Sequence, residues 1–393
     1  MSLMKIVIDA RMYGLEHAGI GRYIANLVRE IKNLKLKIKN LEITLLVRRK
    51  NLKEIKKKIG DSFKIVLCEA SHYSLKEQIV VPLQLIKLKP DLVHFPHFNV
   101  PVLWWGKQVV TIHDLIKHQS RGRETTTKCP LFYWFKYLNY CFLIWLAVKR
   151  ATKIIVPTKW WKKELVKRYR LAPGKVAVIY EGVEKKFKIK DLKFKIDVLK
   201  RYGVKKPFVI YTGSLYPHKN VERLIKAIQL MNQLSTVKPP AGGQVPVSLV
   251  IVCGRNIFYE RFKKKVEEMK MKEFVNLVGF VPDEELVVLY RQAEAFVFPS
   301  LMEGFGLPGL EAMTAGCPVL ISEIPVLREV YGEAALYFNP LDIDDIAKKI
   351  KMILDNPSIR QELIKKGYQQ VKKYSWKRMA RETLRLYENC FSL

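Results

Sequence analysis

Seven residues separate Glu303 from Glu311 in the run Pro299-Ser300-Leu301-Met302-Glu303-Gly304-Phe305-Gly306-Leu307-Pro308-Gly309-Leu310-Glu311-Ala312-Met313. The preceding Ala295-Phe296-Val297-Phe298 is short, apolar and aromatic, the pattern of a buried parallel strand. The glycines and Pro308 then break the chain before a helix begins at Leu310-Glu311-Ala312-Met313. Glu303 therefore falls on a strand-to-helix loop and Glu311 about one turn into the helix. Backbone N–H groups at such a helix start, flanked by glycines that let a ligand approach, can hold an anion such as a diphosphate. A carboxylate one turn further on can accept hydrogen bonds from a diol, as acidic side chains do for the ribose of a nucleotide. The same spacing also occurs in an ordinary capped helix with a solvated glutamate.

Three further segments carry residues suited to chemistry. Gly213-Ser214-Leu215-Tyr216-Pro217-His218-Lys219-Asn220 lies between an apolar strand and the helix predicted over Val221 to Leu230. A lysine there can neutralise a diphosphate as negative charge grows on it, whereas a purely structural lysine at a helix start would oppose the helix dipole. Gly19-Ile20-Gly21-Arg22-Tyr23 follows the first strand after a loop. It reads either as a plain turn or as a place where N–H groups face an anion. In Thr111-Ile112-His113-Asp114-Leu115, at the end of a strand, His113 can exchange a proton near neutral pH or orient a hydroxyl, or can simply be a core or loop histidine. Asp114 reads as a cap on the segment that follows.

The run from Pro299 to Met313, followed by Ala315-Gly316-Cys317-Pro318-Val319, closely resembles the donor-site signature of the retaining glycosyltransferases of group 1. This large family includes glycogen and sucrose synthases and bacterial mannosyltransferases. The resemblance continues through almost the whole chain, and Thr111-Ile112-His113-Asp114-Leu115 looks like its mannosyltransferase branch. It implies an α/β fold of GT-B architecture, with two doubly wound Rossmann-like domains facing each other across a cleft. It further implies retaining transfer of a hexose from a nucleotide sugar, GDP-mannose by family texture, to a glycan or lipid-linked acceptor in surface polysaccharide or glycolipid synthesis. Carried over residue by residue, His113, Lys219 and Glu303 are the catalytic candidates. His113 positions donor sugar and acceptor, Lys219 meets the leaving diphosphate and Glu303 contacts sugar hydroxyls. Gly19, Gly21, Gly213, Phe280, Phe305, Gly306, Leu307 and Glu311 are the donor-binding candidates, with Glu311 on the ribose and Phe280 beside the nucleobase. His94 and His97 are candidates for lining the acceptor cleft. No cofactor or metal is implied, because Lys219 and the helix N-terminus supply positive potential, and a front-face reaction fits better than a carboxylate nucleophile. The family pattern has arginine where this chain has His218, which implies a weaker or pH-dependent clamp.

Length and composition agree with two domains. The 393 residues suit two domains of roughly 180 to 200 residues, each large enough to bury a core. The boundaries predicted are 1–185 for an acceptor-side domain, 186–372 for a nucleotide-sugar domain, and 373–393 for a helix crossing back to the first. Strands in the first half are read at Lys5 to Asp9, Leu41 to Val47, Leu92 to Phe95, Val109 to Ile112, Ile154 to Pro157 and Lys175 to Tyr180. The second half repeats the alternation from Phe208 to Thr212 onward, with a Pro/Gly loop at Thr236 to Gln244. Six cysteines without metal-ligand spacing read as reduced thiols of a cytoplasmic protein, and no secretory signal or membrane-crossing stretch is visible.

The net charge of +33 is uneven. Residues 1–185 hold 36 Lys+Arg against 14 Asp+Glu, whereas residues 186–393 hold 34 against 23, so two thirds of the excess lies in the first half. General lysine enrichment, attraction to an anionic membrane face, and nucleic-acid binding are the readings left open. Scattered lysines without a nucleic-acid motif make nucleic acid the weakest of them. The alternatives to transfer are a sugar-nucleotide epimerase of the same architecture and a nucleic-acid-binding protein using the basic half. The membrane reading places the protein peripherally at the inner face. Its basic, aromatic surface is built from Arg121 to Lys136 and Lys159-Trp160-Trp161-Lys162-Lys163, unless the apolar helix around Tyr137 to Val148 is simply core.

Overall fold

The computed structural model describes residues 3–35, 40–119, 130–184, 187, 195–237, 246–254 and 257–391. The chain divides into two compact units, one comprising Met1–Gly182 with Ser375–Leu393 and the other Val183–Tyr374. In the first, β1 (Met4–Asp9), β2 (Leu41–Val47), β3 (Lys64–Leu67), β4 (Leu92–Phe95), β5 (Gln108–Thr111), β6 (Lys153–Val156) and β7 (Val176–Val178) form a sheet in the order β3-β2-β1-β4-β5-β6-β7. In the second, β8 (Phe208–Thr212), β9 (Ser248–Val252), β10 (Val275–Gly279), β11 (Ala295–Phe298), β12 (Val319–Ser322) and β13 (Leu336–Phe338) are ordered β10-β9-β8-β11-β12-β13. All pairings are parallel.

Each sheet is doubly wound, because its strand order reverses direction once, between β1 and β4 and again between β8 and β11. Such a switch point leaves a crevice at the carboxyl ends of the strands, since the loops on either side depart in opposite directions. The four strands that flank the two switch points show why they occupy the centre. From Ile6 to Ile8, and throughout β4, β8 and β11, every residue is buried, and all are apolar or aromatic except His94 and Thr212, which are hydrogen-bonded. Strands β3 and β13, which the sequence alternation does not single out, are short edges of the two sheets.

Right-handed crossovers fix which helices share a face. In the first unit Ala18–Lys35 and Leu52–Ile59 lie on one face, and Leu75–Leu88, Pro130–Arg150 and Lys159–Tyr169 on the other. The last helix, Trp376–Phe391, packs on Ala18–Lys35 within the first unit. Tyr387 of that helix is buried and bonded to His94 Nδ1 at 2.6 Å.

The structure corrects several local expectations. Gly19 and Gly21 lie in the first turns of Ala18–Lys35, not on a loop. A Cβ at Gly21 would lie 1.9 Å from the carbonyl oxygen of Gly14, so helix and preceding loop can touch there only through glycine. The helix bearing Glu311 starts at Leu307, earlier than the glycines suggested, with Pro308 in its first turn where no N–H is needed. Thr236 and Val237 end the helix Val221–Val237, while residues 238–244 of the expected loop lie outside the described residues. Arg121, Arg123 and Cys129 also lie outside them. The described cysteines, Cys68, Cys141, Cys253, Cys317 and Cys390, are free thiols. Among the described residues no helix is long and apolar enough to cross a membrane.

Candidate active site

The switch point of the second unit gathers most of the donor-side candidates. The loop after β8 carries Gly213, and its Pro217–Lys219 turn ends at Asn220, whose left-handed backbone (φ 58°) reverses the chain into Val221–Val237. Asn220 fixes that turn to the next loop, its Nδ2 donating to the carbonyls of Pro299 at 3.0 Å and Pro340 at 2.7 Å. Leu301 N also donates to the His218 carbonyl at 2.8 Å. With both loops tied, Lys219 Nζ donates to Glu303 Oε1 at 2.7 Å and stands 5.6 Å from the ring centre of Phe298, the last residue of β11. The side chains of Lys219 and Glu303 are only 15% and 7% exposed, so their pairing is screened far less than a surface salt bridge.

Glu303 leads into the helix Leu307–Ala315, capped by Gly306 in the left-handed region at φ 95°. That backbone, and the approach of Leu327 and Tyr331 to within 3.0 and 3.1 Å of a hypothetical Cβ, require glycine. Tyr331 donates its hydroxyl to the Gly306 carbonyl and so holds the turn from behind. No side chain of the cap residue covers the helix N-terminus, which leaves the positive end of the helix dipole to an anion. Phe305 is buried edge-on against Tyr374, ring centres 5.4 Å apart. Glu311, in the second turn, is buried in a helix whose residues from Gly309 to Ala315 are all buried. Gly213 sits above Tyr211, whose hydroxyl donates to the Ser214 carbonyl at 2.7 Å. Phe280 is set apart, 63% exposed at the end of the edge strand β10.

His218 does not supply a titratable clamp near neutral pH. Burial, and then the neighbouring Lys219 ammonium, push its pKa down to about 4. The imidazole is neutral at pH 7, stacked at 5.9 Å on Tyr216. Lys219 carries the charge of this loop.

In the first unit His113 follows β5 and meets two acceptors. Its Nδ1 lies 3.1 Å from Glu181 Oε1, and its Nε2 lies 3.1 Å from the Pro96 carbonyl oxygen. A neutral imidazole has one N–H and could satisfy one of them, whereas the imidazolium satisfies both. Burial pulls its pKa down, but the Glu181 carboxylate and the Pro96 carbonyl outweigh burial and raise it above the ordinary 6.5. Tyr23, on the helix that carries Gly19 and Gly21, packs edge-on against this ring at 4.8 Å. Asp114 Oδ1 accepts from Ile116 N at 3.0 Å, opening the short helix Ile116–Gln119.

The two other histidines considered for acceptor lining differ. His94 is wholly buried, bonded to Tyr387 and, at 2.8 Å, to Thr111 Oγ1, so it is a core residue and lines nothing. His97 is partly exposed and accepts from Asn99 N at 3.3 Å. It borders a small cavity with Asp9, His72 and Asn99.

Two features were not read as site features in the sequence. Glu181 is one, since nothing local marks a partner 68 residues from His113. The other is a buried cluster at the β1/β4 switch point. Arg11 is wholly buried, bidentate to Asp9 (2.8 and 2.6 Å), and bonded to Glu77 at 2.7 Å and to the Ala70 carbonyl at 3.0 Å. Asn99 Nδ2 completes it by donating to Glu77 Oε2 at 2.7 Å. An Asp-x-Arg directly after a buried strand was the available signal, because a guanidinium there must find carboxylates. Among the described residues no group of three or more His, Cys, Asp or Glu is arranged to hold a metal ion.

Comparison with known proteins places both halves. The model described as "Glycosyltransferase Family 4" matches residues 17–187, and "Glycosyl transferases group 1" matches residues 196–370. The O-antigen chain mannosyltransferase RfbU of Salmonella typhimurium is 29% identical over 68% of this chain and 65% of its own length. O-antigen chain mannosyltransferase B of Escherichia coli is 26% identical over 76% of this chain and 74% of its own. The chain thus spans just under two thirds of the first of these relatives and about three quarters of the second. Among solved structures, sucrose-phosphate synthase from Thermosynechococcus elongatus shares the fold, with a TM-score of 0.75, 19% identity and 99% of each chain covered. Two doubly wound sheets, the Glu303 to Glu311 segment and family matches across both halves lead to one assignment: the chain belongs to the group 1 glycosyltransferases of GT-B fold, a family of retaining hexosyltransferases.

Proposed function

We propose that this protein transfers mannose from GDP-mannose, with retention, to a glycan or lipid-linked acceptor in the assembly of a surface polysaccharide or glycolipid. The observation that carries the reading is the β8/β11 switch point. There a low-exposure Lys219–Glu303 pair stands on the two loops that border the crevice, and Glu303 runs into a glycine-capped helix bearing a buried Glu311. In this reading the helix N-terminus around Phe305, Gly306 and Leu307 takes the diphosphate and Glu311 the ribose diol. Gly213 carries the loop after β8 over Tyr211 toward the diphosphate, and Phe280 borders the base. Glu303 holds sugar hydroxyls, and His113 positions the sugar and the incoming hydroxyl by exchanging its bond to the Pro96 carbonyl for one to substrate.

The bond from the anomeric carbon to the phosphate oxygen breaks as a bond to the acceptor oxygen forms on the same face. The acceptor proton passes to the departing phosphate. Lys219 acts as that phosphate gains charge, so its contribution is larger in the transition state than in the bound donor. Mannose is supported by the two O-antigen mannosyltransferase relatives. The test is to incubate the protein with GDP-mannose or UDP-glucose and an acceptor, and to determine released nucleotide and product configuration by NMR. GDP release with an α-mannoside product supports the reading. Turnover of UDP-glucose alone overturns the donor assignment, an inverted product overturns retention, and epimerised donor without transfer overturns the reaction class.

A further inference from the structure

The large apolar side chains exposed in the first unit fall at helical spacing. On Leu75–Leu88 they are Leu75, Ile79, Leu83 and Ile86, and on Pro130–Arg150 they are Trp134, Phe135, Leu138, Phe142 and Trp145. The opposite stripes of the same helices, including Val81, Leu85, Ile144 and Val148, are buried. The long apolar helix therefore is core on one face and an exposed aromatic surface on the other. Both helices lie on the same face of the sheet, and the loop joining β4 to β5 runs between them. Val102 in that loop donates its N–H to Gln78 Oε1 at 2.6 Å, and its carbonyl accepts from Arg150 Nη1. The same loop exposes Leu103 (58%) and Trp105 (76%), with the Arg150 guanidinium 3.5 Å over the Trp105 ring. Helix, loop and helix thus present one continuous apolar face, of the kind that marks an interaction surface.

The charge around this face decides what it fits. Across residues 75–89, 98–107 and 134–150 the sole carboxylate is Glu77, which is buried against Arg11. The same stretches carry exposed Lys76, Lys87, Lys89, Lys107, Lys136 and Lys149. A second copy would bring like charge against like charge, and a nucleic acid would meet an aliphatic and aromatic centre where phosphate and base contacts are needed. An anionic bilayer matches both components. Lysines reach the headgroups while their stems and the apolar stripes enter the acyl boundary, and tryptophans favour that depth. The Lys159 to Lys163 segment contributes less than its sequence suggests, because Trp161 is buried.

We propose that this face of the first unit docks the protein peripherally on an anionic lipid surface. The proposal stands on the surface itself and is independent of which sugar is transferred. The test uses the full chain and vesicles of phosphatidylcholine with or without phosphatidylglycerol. The wild type should co-sediment with the anionic vesicles only, less so at high salt. Brominated acyl chains should quench part of its tryptophan emission. The triple variant Ile79→Ser, Leu83→Ser, Ile86→Ser should lower vesicle affinity by roughly ten-fold or more, given the apolar area withdrawn from the bilayer. Leu341→Ser, an equally exposed residue of the second unit, should change nothing. Turnover of a soluble acceptor should be the same in all three proteins, which separates loss of docking from loss of transfer. No binding to anionic vesicles at low salt, equal binding to neutral vesicles, or unchanged binding by the triple variant would overturn the proposal. So would a dimer that the triple variant dissociates, because the face would then belong to a second copy.

Discussion

The two switch points share a topology and differ in chemistry. At β1/β4 the crevice is filled by Arg11 with Asp9 and Glu77, exposed by 0%, 5% and 0% of their side chains. At β8/β11 the corresponding place holds Lys219 and Glu303, more exposed and backed by a glycine-capped helix. An arginine that is wholly buried, with four of its five N–H donors committed to two carboxylates and a carbonyl, is out of a ligand's reach, so the first crevice serves as a staple between strand, helix and loop. Lys219, with one ammonium hydrogen on Glu303 Oε1 and part of its side chain exposed, keeps donors for phosphate. Strand order alone therefore does not locate a ligand, and the burial and valence of the charges at the crevice do.

The largest effect is expected from Arg11→Met. It leaves two carboxylates buried without their cation, and should cost about 3 to 5 kcal/mol of stability in urea unfolding. Nucleotide affinity of the folded protein should be unchanged. A loss below about 1 kcal/mol would mean that the cluster is not a staple.

Lys219→Ala should sharpen the contrast, lowering turnover by about a hundred- to a thousand-fold, as loss of a transition-state charge partner does. Donor affinity should fall much less. Equal losses in the two would indicate uniform donor binding and not transition-state stabilisation.

His113→Gln gives a smaller, pH-dependent effect. The folded state raises the pKa of His113 above the ordinary 6.5, so its stabilising contribution is complete below the unfolded pKa and is lost as pH rises through the folded one. The stability gap between wild type and variant should be about 1.5 to 3 kcal/mol near pH 5.5 and should shrink toward pH 9. A gap that is flat or grows with pH would contradict the doubly donating imidazolium.

The smallest effect concerns His218. With its pKa at about 4, it gains charge only as pH falls well below neutrality, so wild type and His218→Asn should give superimposable pH–rate profiles above about pH 5.5. A lost limb near neutrality in the variant would show that the histidine titrates there.

Much of the second unit was legible because its site is local. From Ala295 to Met313 a strand, a glycine loop and a helix follow one another, and both glutamates lie within them. The first unit was less so, because its partners are distant in sequence, Arg11 with Glu77 and His113 with Glu181. Gly19 and Gly21 suggested a loop since glycine disfavours helix, but at Gly21 the close approach to Gly14 outweighed propensity. The helix Pro130–Arg150 is rich in apolar residues all round, and periodicity cannot say which stripe is covered until the sheet is in place.

The central claim is that the crevice at β8/β11 is a nucleotide-sugar site with Glu311 on the ribose. Calorimetric titration of GDP into wild type and Glu311→Ala, with thermal unfolding of both as the check on folding, tests it most directly. Affinity should fall roughly ten- to hundred-fold in a folded variant, the cost of a lost charged hydrogen bond. Unchanged affinity in a folded Glu311→Ala protein would contradict it.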